Sequence, residues 1–154
     1  MSAIMKLFLT DAVAEAQWGE KALLSFNQNG ASIHLSGAEG ERLRLIQRAA
    51  RRLDGQGIKQ VALVGNDWDL ERRYAFYQGF YNPRAGQSLY LGEMPEQEQQ
   101  DLDALLEVTR WVRQITNAAP AEVYPATLAE QAAMFIGQQA PDAIQFSVIS
   151  GEAL

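Results

Sequence analysis

Residues 58–67 of the chain read Ile58-Lys59-Gln60-Val61-Ala62-Leu63-Val64-Gly65-Asn66-Asp67. The first seven are rich in aliphatic and β-branched residues and show little polar alternation towards their end, which predicts a central strand. Gly65-Asn66-Asp67 then predicts a turn, with Asp67 as the cap of a helix from Trp68 to about Phe80. A strand between helical patterns is typical of an α/β domain.

The segment before this strand predicts a further helix. Between residues 38 and 53, apolar residues recur at intervals of three and four, which gives one apolar stripe; they are Leu43, Ile46, Ala49, Ala50 and Leu53. Asp54-Gly55-Gln56-Gly57 then supplies a helix stop and a turn. Arg42, Arg44, Arg48, Arg51 and Arg52 lie around the rest of the helix. We interpret these arginines as a solvated surface.

The first 36 residues predict strands. Ile4–Leu9 reads as a first strand, and residues 22–27 and 31–36 are two β-prone runs joined at Asn29-Gly30. Asn-Gly favours a hairpin with a type I′ turn, because both residues tolerate positive φ. In the second run apolar and polar residues alternate, which predicts one buried and one solvated face.

The segment after residue 86 predicts one short strand, two helices and a last strand. The predicted ranges are Gln87–Leu91 (strand), Glu96–Thr116 (helix, opened by Pro95), Thr127–Ile136 (helix) and Ile144–Ile149 (strand). The whole order predicts an α/β fold with a mixed sheet flanked by helices. One helix and one strand after residue 120 are too little for a separate core. We therefore expect a second domain to begin there and to be truncated.

Composition narrows the classes of function. The 154 residues include 13 Lys and Arg, 19 Asp and Glu, one His and no Cys, and 47% are hydrophobic. These values exclude a wholly disordered chain, disulfides and thiolate metal sites. The net charge of -6 disfavours nucleic acid or an anionic membrane as partner. Six of the acids lie between Glu93 and Glu107, and the remaining 13 acids balance the 13 bases.

No group of residues has the pattern of a catalytic or metal site. His34 has a strand position opposite to that of Ile33 and Leu35, so we interpret it as a solvated residue rather than a general base. The turn at Gly65 lacks the glycine pattern of a phosphate-binding loop. Glu98, Asp101 and Glu130 have no nearby His or further carboxylates to complete a ligand set. We therefore predict no catalytic, cofactor-binding or metal-ligating residue in this chain.

The segment 68–81 holds six aromatic residues together with Arg72 and Arg73; the aromatic residues are Trp68, Tyr74, Phe76, Tyr77, Phe80 and Tyr81. We expect one side of this helix to belong to the core and the other to be a candidate contact surface. If it is a contact surface, Tyr77→Ala or Phe80→Ala should remove an interaction without loss of folding.

One stretch resembles a known family. Residues 111–122 read Trp-Val-Arg-Gln-Ile-Thr-Asn-Ala-Ala-Pro-Ala-Glu, and residues 125–129 read Pro-Ala-Thr-Leu-Ala. In order and spacing they resemble the segment that joins the two domains of leucyl aminopeptidases. The first proline, Pro120, falls one residue later than usual. Four upstream segments resemble the peptidase B branch of that family: residues 18–22, 45–51, 54–59 and 75–79.

The resemblance implies a two-domain, usually hexameric, cytoplasmic enzyme that releases N-terminal amino acids from peptides. It implies two divalent metals, Mn or Zn, bound in a C-terminal catalytic domain whose motif is not found here. We therefore expect a non-catalytic N-terminal α/β domain at 1–94, an interdomain helix at 95–118, and the truncated start of the catalytic domain at 119–154. Its expected role is in domain packing, active-site access and hexamer assembly. Alternatively, the chain is a stand-alone ligand-binding module using the Gly65 turn, or a protein-interaction module.

Overall fold

The computed structural model describes residues 4–149 and 151. Five strands form one sheet: β1 (Met5–Thr10), β2 (Leu24–Asn27), β3 (Gly30–His34), β4 (Gln60–Leu63) and β5 (Ser88–Tyr90). The helices are α1 (Glu39–Gly55), α2 (Leu70–Phe80), α3 (Glu96–Asn117) and α4 (Pro125–Gln139). Within the described part of the chain, no helix is both long and apolar enough to cross a bilayer.

The sheet is mixed, as predicted. Its spatial order is β2-β3-β1-β4-β5, and only the β2–β3 pair is antiparallel. β1 is therefore central, and Leu7 lies between Ala31 of β3 and Leu63 of β4. Alternate residues of these three strands are buried on one face, as the period of two requires.

α1 and α2 supply the other half of the core. Ile46, Ala49, Ala50 and Leu53 of α1 are fully buried, so the predicted apolar stripe is confirmed. α2 packs against α1 at Gly79, where an added Cβ would lie 2.3 Å from the Gln47 carbonyl oxygen. Any side chain larger than hydrogen would force the two helices apart.

The predicted hairpin is present, but its predicted turn type is wrong. Asn27 pairs with Gly30, so Gln28 and Asn29 form a two-residue connection. A type I′ turn needs positive φ at both, yet no described residue other than glycine has a positive φ. The Asn27 side chain instead accepts a hydrogen bond from the Asn29 backbone N–H (2.8 Å), and Gly30 takes the positive φ of 142°.

The last predicted strand is also absent. Residues 144–149 have no regular structure, and no segment in the described part of the chain pairs with them. An apolar, β-prone run becomes a strand only when a neighbour completes its hydrogen bonds. The sequence pattern alone could not show whether such a neighbour is present.

The chain forms two compact units, residues 1–107 and 108–154, and the boundary falls within α3. We call the first the α/β unit and the second the C-terminal segment. The sequence-based boundaries at 94 and 118 stay predictions.

Candidate functional site

The carboxyl ends of parallel strands are the usual ligand site of an α/β sheet, and here β1, β3, β4 and β5 end at one edge. The chain leaves β1 towards β3 and leaves β4 towards β5, so the strand order reverses between β1 and β4. In an open α/β sheet a crevice is expected at such a reversal. Trp68 is nearly fully buried, and its Nε1 donates to the Leu7 carbonyl oxygen of β1 (3.3 Å). The indole therefore occupies space beside β1 near this reversal.

Ion pairs occupy the surface of the same edge. Arg72 at the start of α2 binds both carboxylate oxygens of Glu39 at the start of α1, with Nε–Oε1 at 2.9 Å and Nη2–Oε2 at 3.0 Å. Arg42 of α1 binds Asp11, which follows β1, at 2.6 Å. The Arg72 hydrogen bonds lower the pKa of the Glu39 carboxyl, and Glu39 in turn raises the pKa of Arg72. These charged side chains at the edge are thus paired with one another within the protein.

The turn at Gly65 does not have the features of a phosphate site. Gly65 has a positive φ of 109°, but the cap of α2 is Asp69, whose Oδ1 accepts from the Arg72 backbone N–H (2.9 Å). The prediction of Asp67 as cap is therefore wrong, because α2 begins two residues later than predicted, at Leu70. A carboxylate already holds an N–H group of this helix end and brings a negative charge, which disfavours a bound phosphate.

His34 is half-buried rather than solvated, and both of its ring nitrogens have partners. Nδ1 lies 2.8 Å from the Ala12 carbonyl oxygen, and Nε2 lies 2.8 Å from Ser25 Oγ on β2. A carbonyl oxygen only accepts, so Nδ1 carries a proton and, in the neutral ring, Nε2 accepts from Ser25. His34 thus lies on the face opposite Ile33 and Leu35, as its strand position predicts, but it is partly buried and hydrogen-bonded rather than fully solvated. Sequence reasoning missed Ser25, because only the β2–β3 register brings the two side chains together.

The Ser25–His34 pair resembles a nucleophile and its base, but its surroundings do not fit acyl transfer. His34 N donates to Leu23 O (3.0 Å), so in the alternating ladder the Ser25 and Ser32 backbones also bond to each other. The N–H of Ser25 is thus not available to stabilise an oxyanion. We interpret the pair as a cross-strand bond that holds the residue 11–14 loop to the sheet.

Arg73 is a second feature that sequence reasoning missed. It is buried in the α/β unit, where its Nη2 donates to the Glu93 carbonyl oxygen (3.1 Å). Its Nε has no hydrogen-bond partner among the described residues. The side chain thereby fastens the segment that leads into α3. Because Arg73 is a charged residue within an aromatic-rich helix, the sequence does not indicate which face of α2 it occupies.

The aromatic residues of α2 divide between core and surface, as predicted. Phe76 and Phe80 are buried and stack at 5.5 Å, whereas Tyr77 and Tyr81 are half-buried and stack at 5.2 Å. The expectation that Phe80→Ala leaves folding intact is wrong. Phe80 is only 1% exposed, so Phe80→Ala would create a cavity in the core.

The acidic run lies on α3 and forms no metal site. Gln97 donates to Asp101 (3.0 Å) and Gln99 donates to Asp103 (2.9 Å), each one turn along the helix. Across residues 4–149 and 151, no three His, Cys, Asp or Glu side chains come together in a way that could hold a metal ion. The described residues therefore offer no ligand group for a metal pair, and the resemblance places that pair in a separate C-terminal domain.

The C-terminal segment exposes apolar side chains. Among described residues none between 107 and 149 is buried, and nine of the fourteen large hydrophobic residues that are exposed lie between 108 and 149. We call them the apolar set: Val108, Val112, Tyr124, Leu128, Met134, Ile144, Phe146, Val148 and Ile149. Within this unit Trp111 of α3 stacks on Phe135 of α4 at 4.7 Å. Such an apolar surface is typical of an interaction site.

Comparison with known proteins shows similarity to peptidases. Residues 6–95 match the model of a domain family, DUF3663, that is described as Peptidase. The chain is 42% identical over 151 residues to proteins named Peptidase B from Yersinia pseudotuberculosis serotype O:1b and from Yersinia pestis bv. Antiqua. These matches cover 98% of the chain but 34% of each relative, so the chain spans about a third of their length.

Proposed function

Since the chain belongs to the DUF3663 peptidase family, we propose that it is the non-catalytic N-terminal part of a metal-dependent aminopeptidase that releases N-terminal amino acids from peptides. The relatives named Peptidase B are about three times as long as this chain, which leaves room for a separate catalytic domain. The motif resemblance at residues 111–129 supports assignment to the leucyl aminopeptidase family.

The observation that carries the proposal is the exposed apolar set of the C-terminal segment. The end of α3, α4 and the β-prone tail have no buried residue among described positions 108–149, so they gain little free energy from hydrophobic burial. Their apolar side chains would be covered if the rest of a longer polypeptide packed against them. Residues 144–149 would then find the strand partner that the described residues do not offer.

The two divalent metals, Mn or Zn, belong in the remaining part of that polypeptide. A two-metal centre needs several carboxylate, His or similar ligands around one point. The described residues offer no such group, so we assign no ligand and no catalytic step to this chain. Its role is to pack against the catalytic domain, to shape access to the active site and to support hexamer assembly in the cytoplasm.

An activity assay tests the catalytic half of the proposal. The purified chain, incubated with an aminoacyl chromogenic substrate and either Mn²⁺ or Zn²⁺, should release chromophore at the rate of the blank. The full-length polypeptide should show metal-dependent release under the same conditions. Metal-dependent turnover by the chain alone would overturn the assignment, as would a full-length polypeptide without turnover.

Charge substitutions test the packing half. In the full-length polypeptide Met134→Glu and Phe146→Glu should each lower the melting temperature and the cleavage rate, because a charge would enter a buried interface. Val13→Glu is the matched control, since Val13 is an exposed apolar residue of the α/β unit. If all three variants behave alike, the apolar set is not covered in the longer protein.

A further inference from the structure

A cavity of about 410 Å³ lies beside the loop that follows β1. Its walls come from this loop, the residues just before β2, the end of β3 and α1. The apolar side chains that line it include Ala14, Leu23, Leu35 and Leu45. Small-molecule sites are typically apolar clefts of about 300–1,000 Å³ with a few polar groups. Size and lining thus suit a small ligand, and neither the family nor the proposed function assigns one here.

The charged residues around the cavity indicate what kind of ligand it takes. Two acids, Asp11 and Glu20, and two bases, Lys21 and Arg48, line it. Asp11 is neutralised by Arg42 at 2.6 Å. In the described part of the chain, Glu20, Lys21 and Arg48 have no hydrogen bond or ion pair between side chains. These three leave a surplus of one positive charge beside an apolar wall.

His34 also lines the cavity, but both of its ring nitrogens are already used within the protein. It therefore holds the wall in place rather than contacting a ligand. The same hydrogen bond from Nδ1 to Ala12 keeps the loop at its position over the cavity. The cavity is thus held by a cross-strand contact as well as by packing.

We propose that this cavity binds a small carboxylate with a short aliphatic body. The guanidinium of Arg48, together with Lys21 of the same cavity, would receive the carboxylate, because a planar guanidinium matches its two oxygens. The aliphatic body would lie against Leu23, Leu35 and Leu45. This inference is independent of the proposed function, since it concerns only the α/β unit.

An NMR titration of the 154-residue chain tests the ligand class. Isovalerate should shift the amide signals of residues 23, 35 and 45 saturably, with a Kd in the roughly millimolar range expected for so small a ligand. Acetate, which lacks the body, and isoamylamine, which carries the opposite charge, should bind at least several-fold more weakly. Leucine shows whether the natural ligand is an amino acid or a simple acid. Tighter binding of leucine than of isovalerate indicates an amino acid, with its ammonium near Glu20. Equal binding indicates a simple acid.

Two variants of the same helix test the assignment of Arg48. Arg48→Ala should weaken isovalerate binding roughly fivefold, as for a single exposed charge pair. Arg44→Ala is the matched control, because Arg44 is an exposed arginine of α1 that does not line the cavity. Arg48→Lys, which keeps the charge but loses the planar pair of donors, should bind with an affinity between those of wild type and Arg48→Ala. Absence of saturable shifts, equal binding of isoamylamine, or equal losses in the two alanine variants would overturn the proposal.

Discussion

Arg72 and Glu39 form a bidentate ion pair: Arg72 Nε donates to Glu39 Oε1 at 2.9 Å, and Arg72 Nη2 donates to Glu39 Oε2 at 3.0 Å. The two residues lie 33 positions apart and join the first turns of α1 and α2. Arg72 Nη1 also donates to the Asp67 carbonyl oxygen (2.8 Å). One side chain therefore connects two helix starts and the turn after β4.

We expect Arg72→Ala to lower the melting temperature by a few degrees, because it removes this connection without creating a core cavity. The effect should depend on pH. The folded-state pKa of Glu39 is below its usual value of 4.5, so the pair stabilises the fold fully above that pH. The stabilisation is lost as the pH falls through the lowered pKa.

Melting curves of wild type and Arg72→Ala between pH 7 and pH 2.5 measure this. The difference in melting temperature should be constant down to about pH 5 and shrink below it. Glu71→Ala is the control, because Glu71 is an exposed acid of the same helix that forms none of these ion pairs. A difference that grows on acidification would contradict the assignment.

The close approach of α1 and α2 predicts a sharp contrast between two helical glycines. At Gly79 an added Cβ would lie 2.3 Å from the Gln47 carbonyl oxygen and 2.9 Å from Ala50 Cβ, whereas at Gly40 nothing lies within 4 Å. Gly79→Ala should lower the free energy of unfolding by about 2–3 kcal/mol through overpacking. Gly40→Ala should be neutral or raise it by up to about 1 kcal/mol, since alanine favours a helix. Urea unfolding of both variants decides this, and equal effects would contradict the packing.

Asp54 is the centre of a polar network at the end of α1. Its Oδ1 binds Lys59 Nζ at 2.5 Å and Gln87 Nε2 at 2.8 Å, and its Oδ2 accepts from Asn82 (3.2 Å). The Lys59 hydrogen bond is the largest cause that lowers the pKa of Asp54. Asp54→Ala should cost about 1–2 kcal/mol, because it removes three hydrogen bonds to a charged group.

Asp54→Asn separates the charge from the hydrogen bonds of Asp54. It should cost less than Asp54→Ala at pH 7. Since the folded-state pKa is lowered from 3.8, its deficit against wild type should begin to shrink near that pH and disappear as the pH falls through the lowered pKa. Chemical unfolding at pH 7 and pH 3 measures both variants. A deficit of Asp54→Asn that is unchanged at low pH would show that the charge contributes nothing.

At Trp68 we expect loss of the hydrogen bond and loss of the whole ring to lower the free energy of unfolding by different amounts. Trp68 Nε1 donates to Leu7 O, but that oxygen also accepts from Val64 N (2.9 Å). Trp68→Phe should therefore cost about 1 kcal/mol or less beyond the volume change, because Leu7 O keeps a partner. Trp68→Ala should cost about 3–5 kcal/mol, since it also removes the edge-to-face contact with Phe76. Similar losses in the two variants, measured by urea unfolding, would contradict the assigned roles.

The candidate sites were less predictable than the fold. The sequence predicts no compact ligand set on α3, because acids spaced along a helix such as Asp101 and Asp103 point to different faces. It could not reveal the cavity beside Arg48, whose walls come from four separate elements. Nor could it reveal that none of the described residues from 108 to 149 is buried. Burial depends on which element lies opposite, and no local pattern records that.

The sequence by itself determined the α/β class, the mixed sheet, the hairpin at Asn29-Gly30 and the buried stripe of α1. These follow from periodicity and turn chemistry, which act within a few residues. Only the tertiary structure decided that Asp69 rather than Asp67 caps α2, that His34 pairs with Ser25, and that residues 144–149 form no strand. The cap is a local contact whose position follows from the start of α2 at Leu70, whereas the His34 pair and the missing strand depend on a hydrogen-bond partner from elsewhere in the chain. Side-chain type sets what a residue can bond to, but the register of the sheet and the packing of the helices select the partner.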